Sequence, residues 1–532
     1  MKSFKEDELH VGVWAAKTPD RAAIIDAETG REFSFAEYEA LSNQVARLAR
    51  GLGLKPEDHA AVLLENRVEF LPVFWGLVRA GLRVTPIPTH LSVEEIDHIL
   101  ADSGAGLLLT SASHKDVAAR LNLSGMSPAA RLMLDDAAPG FVSLEAAIAD
   151  LPATPMADQR EGIDMLYSSG TTGQPKGVRK LMPSGDFGVA PAALAVTATR
   201  YGLDENTIYL HPSPLYHAAP LGYSVRIGRL GGCIVIMKKF DPEACLKAIE
   251  TYRVTHSQWV PTHFIRLLRL PEDVRTKYDH STLRCAIHAA APCPQDVKRA
   301  MIDWWGPVIE EYYAGSEGNG QCNITSADWL KKPGSVGRAA VGKVHICDPE
   351  GRDLPAGEVG TIFFEGGAQF EYHNDPVKTA ESRHPNGWST IGDVGYLDED
   401  GFLFLTDRKS FMIVSGGVNI YPQEVEALLL THPQIDDAAV FGVPNDEFGE
   451  EVKAVIEVKP GVTADSALAA DIIAFSRAHL SHVKCPRSVD FIDEMPRGDN
   501  GKLYKKVLRA PYWPDKKTAT HSTAVPADVH KN

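Results

Sequence analysis

Cysteine is scarce and scattered in this sequence. The 532 residues include seven cysteines, at positions 233, 245, 285, 293, 322, 347 and 485, and no two of them form a C-x-x-C pair. Disulfide frameworks and structural zinc sites need paired or regularly spaced ligands. We therefore expect reduced cysteines with structural roles, and we interpret most of the 19 histidines as ordinary packed or surface residues.

Long apolar runs and an excess of positive charge are also absent. No apolar run approaches the roughly 20 residues that a membrane-spanning helix needs, and the first ten residues lack the apolar core of a secretion signal. The formal net charge of −16 argues against a nucleic-acid surface, although a local lysine cluster could still bind a small polyanion. We expect a cytoplasmic protein with no integral membrane segment and no nucleic-acid partner.

The length and the apolar pattern predict an α/β protein of more than one domain. A single hydrophobic core stops growing at about 250 to 300 residues. Strand-like and helical segments alternate through the first 330 residues, with capping boxes at Ser34/Glu37 and Ser92/Glu95 and a helix that stops at Gly81. This alternation predicts a large N-terminal domain of parallel sheets with flanking helices. Residues 112–160 have a weaker pattern, and we expect irregular connections there.

The pattern of apolar and glycine residues changes after residue 333. Glycines punctuate short apolar runs over about 333–406, which predicts a small β-rich subdomain. After Asp407 and Arg408 a new alternation begins, and we assign it to a small mobile α+β domain. The predicted segments are a large N-terminal domain at 1–407, a C-terminal domain at 408–509 and a flexible tail at 510–532, which has little to bury.

One polar segment, residues 167–178, has the sequence YSSGTTGQPKGV. Its glycines let backbone N–H groups point into one concavity, its hydroxyls add donors, and Lys176 adds a positive charge. The segment suits an oxyanion, although the same composition is common in plain surface turns. A P-loop is excluded by spacing, because that motif needs Gly-Lys-Ser/Thr whereas Lys176 lies between Pro175 and Gly177.

Residues 167–178 resemble the phosphate loop of the adenylate-forming superfamily, which includes acyl-CoA synthetases, peptide-synthetase adenylation domains and firefly luciferase. Further motifs follow in the family's order over about residues 10–509. Residues 289–292 (AAAP) resemble the adenine-site turn, and 313–317 (YAGSE) the aromatic-Gly-x-Thr-Glu motif. Residues 390–393 (TIGD) with 407–408 resemble the ribose-binding pair, 416–422 the C-domain loop, and 500–503 (NGKL) the terminal lysine motif. An acyl-CoA synthetase is the most similar member.

The resemblance implies two half-reactions. A carboxylate attacks the α-phosphate of ATP to give an acyl adenylate and pyrophosphate, and a thiol, normally that of coenzyme A, then displaces AMP. ATP, Mg²⁺ and coenzyme A are the implied cofactors. The residues implied to hold the β- and γ-phosphates are Ser168, Thr171, Thr172 and Lys176. Ser169 and Gly173 are implied to belong to the same cofactor-binding loop. Glu317 is implied to bind Mg²⁺, which usually takes one or two carboxylates and keeps several waters.

The remaining site residues follow from the same resemblance. Tyr313 would stack on adenine near Ala290 and Ser316, Asp393 would bind the ribose, and Arg408 would add donors to the ribose or the α-phosphate. Lys502 would bridge the substrate carboxylate and the α-phosphate, and Gly416 and Gly417 would let pantetheine pass close to the backbone. His217 resembles the family's aromatic-His residue at the entrance of the acyl pocket. Ser410 departs from the usual hinge Asp or Lys, which leaves the swing of the C-terminal domain open.

Several questions stay open at this level. The acceptor could be a separate carrier protein, the chain could be a luciferase-like oxygenase, and a homodimer is an open assembly state. A nucleotide-binding protein without turnover is disfavoured, because the charged residues of all the motifs are retained. Five small or apolar residues lie near the acyl-pocket motifs: Ala218, Ala219, Leu221, Trp259 and Ala290. They favour a hydrophobic small-molecule carboxylic acid as the substrate, of the fatty, aromatic or steroid side-chain class.

Overall fold

The structure is a computed structural model. It describes residues 9–168, 175–183, 187–189, 192–408, 411–415, 418–445, 447–498 and 503–513, and for 168, 192, 193, 407, 408 and 419 it describes the backbone alone. These residues form two compact units, divided between Leu405 and Thr406. Within the described ranges, no helix is both long and apolar enough to span a membrane.

The strands, in chain order, are β1 (Ala22–Asp26), β2 (Glu32–Ser34), β3 (His59–Leu63), β4 (Arg83–Pro86), β5 (Leu107–Ser111), β6 (Arg131–Leu134), β7 (Val142–Ser143), β8 (Ile163–Asp164), β9 (Leu166–Ser168), β10 (Lys176–Lys180), β11 (Ile208–His211), β12 (Cys233–Ile236), β13 (His256–Trp259), β14 (Cys285–His288), β15 (Ile309–Ala314), β16 (Gln321–Thr325), β17 (Ser335–Val341), β18 (Lys343–Cys347), β19 (Gly360–Glu365), β20 (Phe370–Tyr372), β21 (Asp393–Leu397), β22 (Leu403–Arg408), β23 (Ile413–Ser415), β24 (Val418–Ile420), β25 (Ile435–Asn445), β26 (Gly449–Val458) and β27 (Ser488–Ile492).

The α-helices are α1 (Val11–Lys17), α2 (Phe35–Gly51), α3 (Phe70–Arg79), α4 (Val93–Ser103), α5 (Lys115–Ala118), α6 (Leu144–Ile148), α7 (Ala192–Tyr201), α8 (Ala218–Leu230), α9 (Pro242–Tyr252), α10 (Pro261–Leu268), α11 (Glu272–Arg275), α12 (Gln295–Trp305), α13 (Ser326–Lys331), α14 (Pro376–Glu381), α15 (Pro422–Leu429), α16 (Ser466–His479) and α17 (Lys505–Arg509).

Local capping signals locate the predicted N-terminal helices. The capping boxes Ser34/Glu37 and Ser92/Glu95 both form, at the starts of α2 and α4. Helix α3 ends just before Gly81, whose φ of 81° lies in the left-handed region that favours glycine. These predictions are confirmed because each depends on a few adjacent residues.

A six-stranded sheet, in the order β7-β6-β5-β3-β4-β8, has every neighbouring pair parallel. All residues of β4 and β5 are buried, as expected for a parallel sheet covered on both faces. Strands β6 and β7 and helix α6 come from residues 112–160, so the prediction of an irregular connection there is wrong. The reason is that β6 is a run of four residues, too short to be recognised by periodicity, and only its pairing with β5 reveals it.

The longest sheet has thirteen strands, in the order β18-β19-β21-β22-β17-β16-β15-β14-β13-β11-β12-β1-β2. The pairs from β1 to β15 along this order are parallel, and β15 onwards to β16 and β17 is antiparallel. The predicted strands near 207–211, 233–237, 256–260, 284–288 and 308–313 are therefore present as β11 to β15. Residues 333–406 supply most of the antiparallel part, which confirms the predicted β-rich segment.

The carboxyl ends of β11, β13, β14 and β15 lie at one edge of this sheet, because these strands run parallel. A separate three-stranded antiparallel sheet, in the order β20-β10-β9, contains the two described flanks of the polar segment 167–178, and Val178 of the second flank is paired with Tyr372. The described flanks of the predicted phosphate loop are thus paired, antiparallel strands.

The second unit contains a sheet in the order β24-β23-β26-β25, with β27 parallel to β26, and helices α15 to α17, as predicted for an α+β domain. Residues 510–513, the start of the predicted flexible tail, lie in the described part of this unit. There the Tyr512 hydroxyl donates to Asp490, and the Trp513 indole N–H donates to the Gly442 carbonyl at 2.9 Å, so both aromatic residues have partners. The rest of the predicted tail, 514–532, lies outside the described residues.

Candidate active site

Lys176 begins β10 and faces Ser168, the last residue of β9, across the antiparallel pair. Its ammonium forms an ion pair with Asp375, and both side chains are about one quarter exposed. Of the other predicted phosphate-loop residues, Ser168 is described by its backbone alone. Ser169, Thr171, Thr172 and Gly173 lie outside the described residues.

Asp375 is a site residue that the sequence analysis missed. Its carboxylate accepts a hydrogen bond from the Lys378 backbone N–H at 2.9 Å and so caps α14, which has Pro376 in its first turn. The hydrogen bond from Lys176, followed by that from the Lys378 backbone, lowers the pKa of the Asp375 carboxyl. The Asp-Pro pair is a helix-start signal that could have located this turn, but not its contact with Lys176.

The C-terminal half of α4 contacts the residues on both described flanks of the predicted phosphate loop. The Tyr167 hydroxyl donates to the Asp102 carboxylate at 2.7 Å, and the Asn374 amide donates to the other oxygen at 3.1 Å. His98 Nε2 lies 3.0 Å from the Pro175 carbonyl oxygen. Burial, and then the bond to Asp102, raise the pKa of Tyr167, so its hydroxyl remains a donor. Helix α4 therefore anchors the residues on either side of the predicted phosphate loop.

Glu317 follows the end of β15 and is 8% exposed. One carboxylate oxygen accepts a hydrogen bond from the Tyr372 hydroxyl at 2.9 Å. Among the described side chains, no lysine or arginine forms an ion pair with Glu317. A buried carboxylate is costly unless a cation or hydrogen bonds compensate it. The other Glu317 oxygen therefore fits a cation, and Mg²⁺ suits a single carboxylate supplemented by phosphate and water.

Tyr313 of β15 and Asp393 of β21 form a side-chain hydrogen bond. The Tyr313 hydroxyl donates to Asp393 Oδ2 at 2.7 Å, and Asp393 is 7% exposed at the start of β21. The resemblance assigns these residues to adenine and ribose, and the structure brings them into direct contact. The side chain of Arg408, the other residue of the predicted ribose pair, is not among those described.

The predicted adenine-site turn leaves β14 at its carboxyl end. Ala290 has a φ of 75°, an uncommon value for a residue with a Cβ, and its side chain is exposed. Ser316 is half-buried, next to Gly315, where an added Cβ would lie 2.7 Å from Glu317 Oε2. Glycine at 315 therefore gives the Glu317 carboxylate room to fold back over the turn.

His217 immediately precedes α8, and its ring lies 4.7 Å from the Tyr216 ring in an edge-on arrangement. The segment before it is fixed by Asn66, another residue that the sequence analysis did not single out. Asn66 Nδ2 donates to the Ser213 carbonyl at 2.9 Å, and Asn66 Oδ1 accepts from the Leu215 N–H at 2.8 Å. No short sequence pattern joins residues this far apart, so only the fold identifies the contact.

Three further predicted site residues, Lys502, Gly416 and Gly417, lie outside the described residues, as does Ser410. The described part of the chain contains no group of three histidine, cysteine, aspartate or glutamate side chains arranged for a metal ion. The described site therefore consists of the Lys176–Asp375 pair, the Glu317 carboxylate and the Tyr313–Asp393 pair.

Comparison with family models matches residues 12–371 to the AMP-binding enzyme model and residues 424–502 to the AMP-binding enzyme C-terminal domain. The first match alone covers more than half of the chain. The chain belongs to the AMP-binding enzyme family. The predicted adenylate-forming superfamily is thereby confirmed, as is the prediction of an enzyme of the acid–thiol ligase class.

Similar proteins align with most of the length of this AMP-binding enzyme. A feruloyl-CoA synthase of an Amycolatopsis species is 34% identical over 482 residues, covering 89% of this chain and 93% of that protein. The long-chain-fatty-acid–CoA ligase FadD13 of Mycobacterium tuberculosis is 28% identical over 499 residues, covering 94% and 97%.

Solved structures agree with this assignment. ATP-bound MatB from Rhodopseudomonas palustris has a TM-score of 0.80 at 28% identity, covering 94% of this chain and 99% of that one. The o-succinylbenzoate CoA synthetase MenE of Bacillus subtilis, in complex with its acyl-adenylate intermediate, has a TM-score of 0.78 at 26% identity, covering 95% and 98%. The α/β fold with a large N-terminal and a small C-terminal domain is thus shared with known adenylate-forming enzymes.

Proposed function

We propose that this AMP-binding enzyme is an ATP-dependent carboxylic acid–CoA ligase that uses Mg²⁺ and releases AMP and pyrophosphate. Its substrate in this proposal is a hydrophobic acid, of the fatty, aromatic or steroid side-chain class. The proposal includes an adenylation domain at residues 1–407 and a C-terminal domain at 408–509. The feruloyl-CoA synthase and the fatty-acid ligase among its relatives support both the acceptor and the acid class.

The observation with most weight is the contact chain around β20. Tyr372, the last residue of β20, donates its hydroxyl to Glu317. Three residues later Asp375 pairs with Lys176, on the strand that is hydrogen-bonded to β20. The same short sheet therefore links, through Tyr372 and Asp375, a buried carboxylate suited to Mg²⁺ and a lysine suited to phosphate, which supports the proposal. Adenylation needs these two charges together, because ATP presents both polyphosphate and its cation.

The first half-reaction brings a carboxylate anion against a polyanion, so electrostatic stabilisation is the main task. Lys176 would exchange its Asp375 partner for the β- and γ-phosphates. Glu317 would hold Mg²⁺ through the oxygen that Tyr372 does not occupy. When bound, Mg²⁺ supplies neutralisation of phosphate charge. Lys502 would bring its ammonium between the substrate carboxylate and the α-phosphate.

The other residues would position the nucleotide and the thiol. Asp393, held by the Tyr313 hydroxyl, would accept hydrogen bonds from ribose hydroxyls, and Arg408 would add donors. In the second half-reaction the thiol sulfur bonds to the acyl carbon as the acyl–phosphate bond breaks, and AMP leaves. Gly416 and Gly417 would leave room for pantetheine beside the backbone.

The residues predicted near the acyl pocket differ in exposure. Leu221 and Trp259 are 2% and 1% exposed and belong to the hydrophobic cores. Ala218 and Ala219, in the first turn of α8, are half-buried, and Ala290 is exposed. We propose that the small side chains of the first turn of α8 border the acid, with Leu221 packed behind them, whereas Trp259 belongs to a separate core.

The proposal is tested by product analysis over acids of graded chain length and ring content, with and without coenzyme A. We expect AMP and pyrophosphate, with a thioester formed when coenzyme A is present. Formation of ADP and phosphate would contradict the mechanism. Thioester formation on a phosphopantetheinylated carrier protein but not on coenzyme A would establish the carrier-loading alternative, and oxygen consumption with light emission would establish the oxygenase.

Lys502→Ala tests the division of labour between the half-reactions. Adenylation should be abolished, because the bridging ammonium is gone, whereas thioester formation from supplied acyl adenylate should remain largely intact. Single-turnover assays of each half-reaction measure both effects. Lys506→Ala, which removes an exposed lysine four residues away, is the matched control. Equal loss of both half-reactions in Lys502→Ala would refute the assignment.

A further inference from the structure

Arg226 lies on the face of α8 that begins at His217. Ala218, Gly222 and Arg226 recur every four residues along this face, and all three are only partly buried, while Leu221, about 100° around the helix from Gly222, is in the core. An added Cβ on Gly222 would lie 2.9 Å from Arg226 Nη1. The guanidinium therefore folds back over Gly222, one turn nearer to His217.

Arg226 differs from its neighbour Arg229 in its electrostatic partners. Arg229 is buried and forms an ion pair with Glu161. Among the residues that the structure describes, Arg226 has neither an ion pair nor a hydrogen bond, and its guanidinium carbon lies 5.5 Å from the centre of the Tyr223 ring. A half-buried guanidinium presents five donors in a planar fork that matches a carboxylate. Its donors are available to a ligand.

Hydroxyl groups line the same region. The Tyr223 ring lies 6.0 Å from the Tyr312 ring, and the Tyr312 hydroxyl accepts a hydrogen bond from Gln258 at 3.3 Å. Tyr312 precedes Tyr313 in β15, so its side chain points to the opposite face from the residue that contacts Asp393. Burial raises the pKa of Tyr223 and of Tyr312, which keeps both hydroxyls protonated as donors.

We propose that Arg226, assisted by the Tyr312 hydroxyl, binds a second carboxylate at the far end of the acid. This inference rests on the proposed ligase function, with the reacting carboxylate near His217. The guanidinium over Gly222 is five residues along the helix from His217, or about 7.5 Å at the α-helical rise. A single aromatic ring with its two substituents covers such a span. The preferred substrate is therefore a compact acid with an apolar body and a distal carboxylate.

The test compares 3-phenylpropenoic acid with its para-carboxy derivative, using the full-length enzyme with ATP, Mg²⁺ and coenzyme A. The kcat/KM for AMP release should favour the carboxylated acid by about 10- to 100-fold, the usual value of a charge-assisted hydrogen bond. Arg226→Leu should remove this preference while leaving the unsubstituted acid unchanged. Arg226→Lys should retain part of it, because the charge remains without the fork.

Arg266→Leu is the matched control, because Arg266 also packs on an aromatic ring, that of Phe240, but lies on α10. It should leave the preference intact. Equal use of both acids by the wild type, or an equal loss for both acids in Arg226→Leu, would overturn the inference and leave the proposed function standing. Failure of every acid to release AMP in the presence of coenzyme A would instead refute the proposed function itself.

Discussion

Asn66→Ala should loosen the segment that leads into His217. Asn66 follows β3 of the six-stranded sheet and is 8% exposed. Its side-chain amide donates to the Ser213 and Met237 carbonyls, both at 2.9 Å, and its carbonyl oxygen accepts from the Leu215 N–H at 2.8 Å. Because these partners follow β11 and β12, a single side chain ties the six-stranded sheet to the thirteen-stranded sheet beside the candidate site.

The expected loss of stability in Asn66→Ala follows from the polar groups that lose their partner. The substitution leaves two carbonyls and one N–H, all buried, without their Asn66 partner, and each unsatisfied buried group costs about 1 to 3 kcal/mol. Water can enter the space of the lost amide and recover part of this cost. We therefore expect a loss of about 2 to 5 kcal/mol in the free energy of unfolding.

Denaturant unfolding, followed for the transition of the N-terminal unit, measures this loss. The KM for the acid should rise at the same time, while the KM for ATP should change less, because Asn66 holds the side of the site that leads to α8. Asn66→Asp is a second comparison: it keeps the acceptor for Leu215, but it places a buried carboxylate oxygen against the two carbonyl oxygens, so it should be at least as destabilising as Asn66→Ala. A loss below about 1 kcal/mol in Asn66→Ala, with the acid KM unchanged, would refute this reasoning.

Two further substitutions test charged residues, Asp375 in the candidate active site and Glu65 after β3 of the six-stranded sheet. Asp375→Asn keeps a good helix cap but removes the anion that competes with phosphate for Lys176, so the KM for ATP should fall about two- to fivefold with little change in stability; a rise in this KM would contradict the competition. Glu65 is partly buried, which raises its pKa, but hydrogen bonds from His114 and Ser111 outweigh burial and lower the pKa to about 2 from 4.5. Its stabilisation is therefore present above pH 4.5 and lost as the pH falls towards 2, so acid titration of unfolding should be shallower in Glu65→Gln; identical pH profiles would show that these hydrogen bonds persist in the unfolded state.

Contacts between distant segments explain what the sequence analysis missed. Asp375 could be recognised as a helix cap from its neighbour Pro376, but its pairing with Lys176 depends on the alignment of β10 with β20. Strands β6 and β7 were missed because such short runs have no clear period until a neighbouring strand defines their faces. In each case the missing information is a tertiary pairing.

The amino-acid sequence by itself determined the family and the main chemical groups. Lys176, Glu317 and Asp393 stand in motifs a few residues long, and the helix starts depend on equally local hydrogen bonds, so both can be recognised without a fold. Only the tertiary structure decided which groups act together. Asn66 and Arg226 are ordinary residues in sequence, and their roles arise because burial removes solvent and leaves each side chain with the partners that the packed sheets and helices provide.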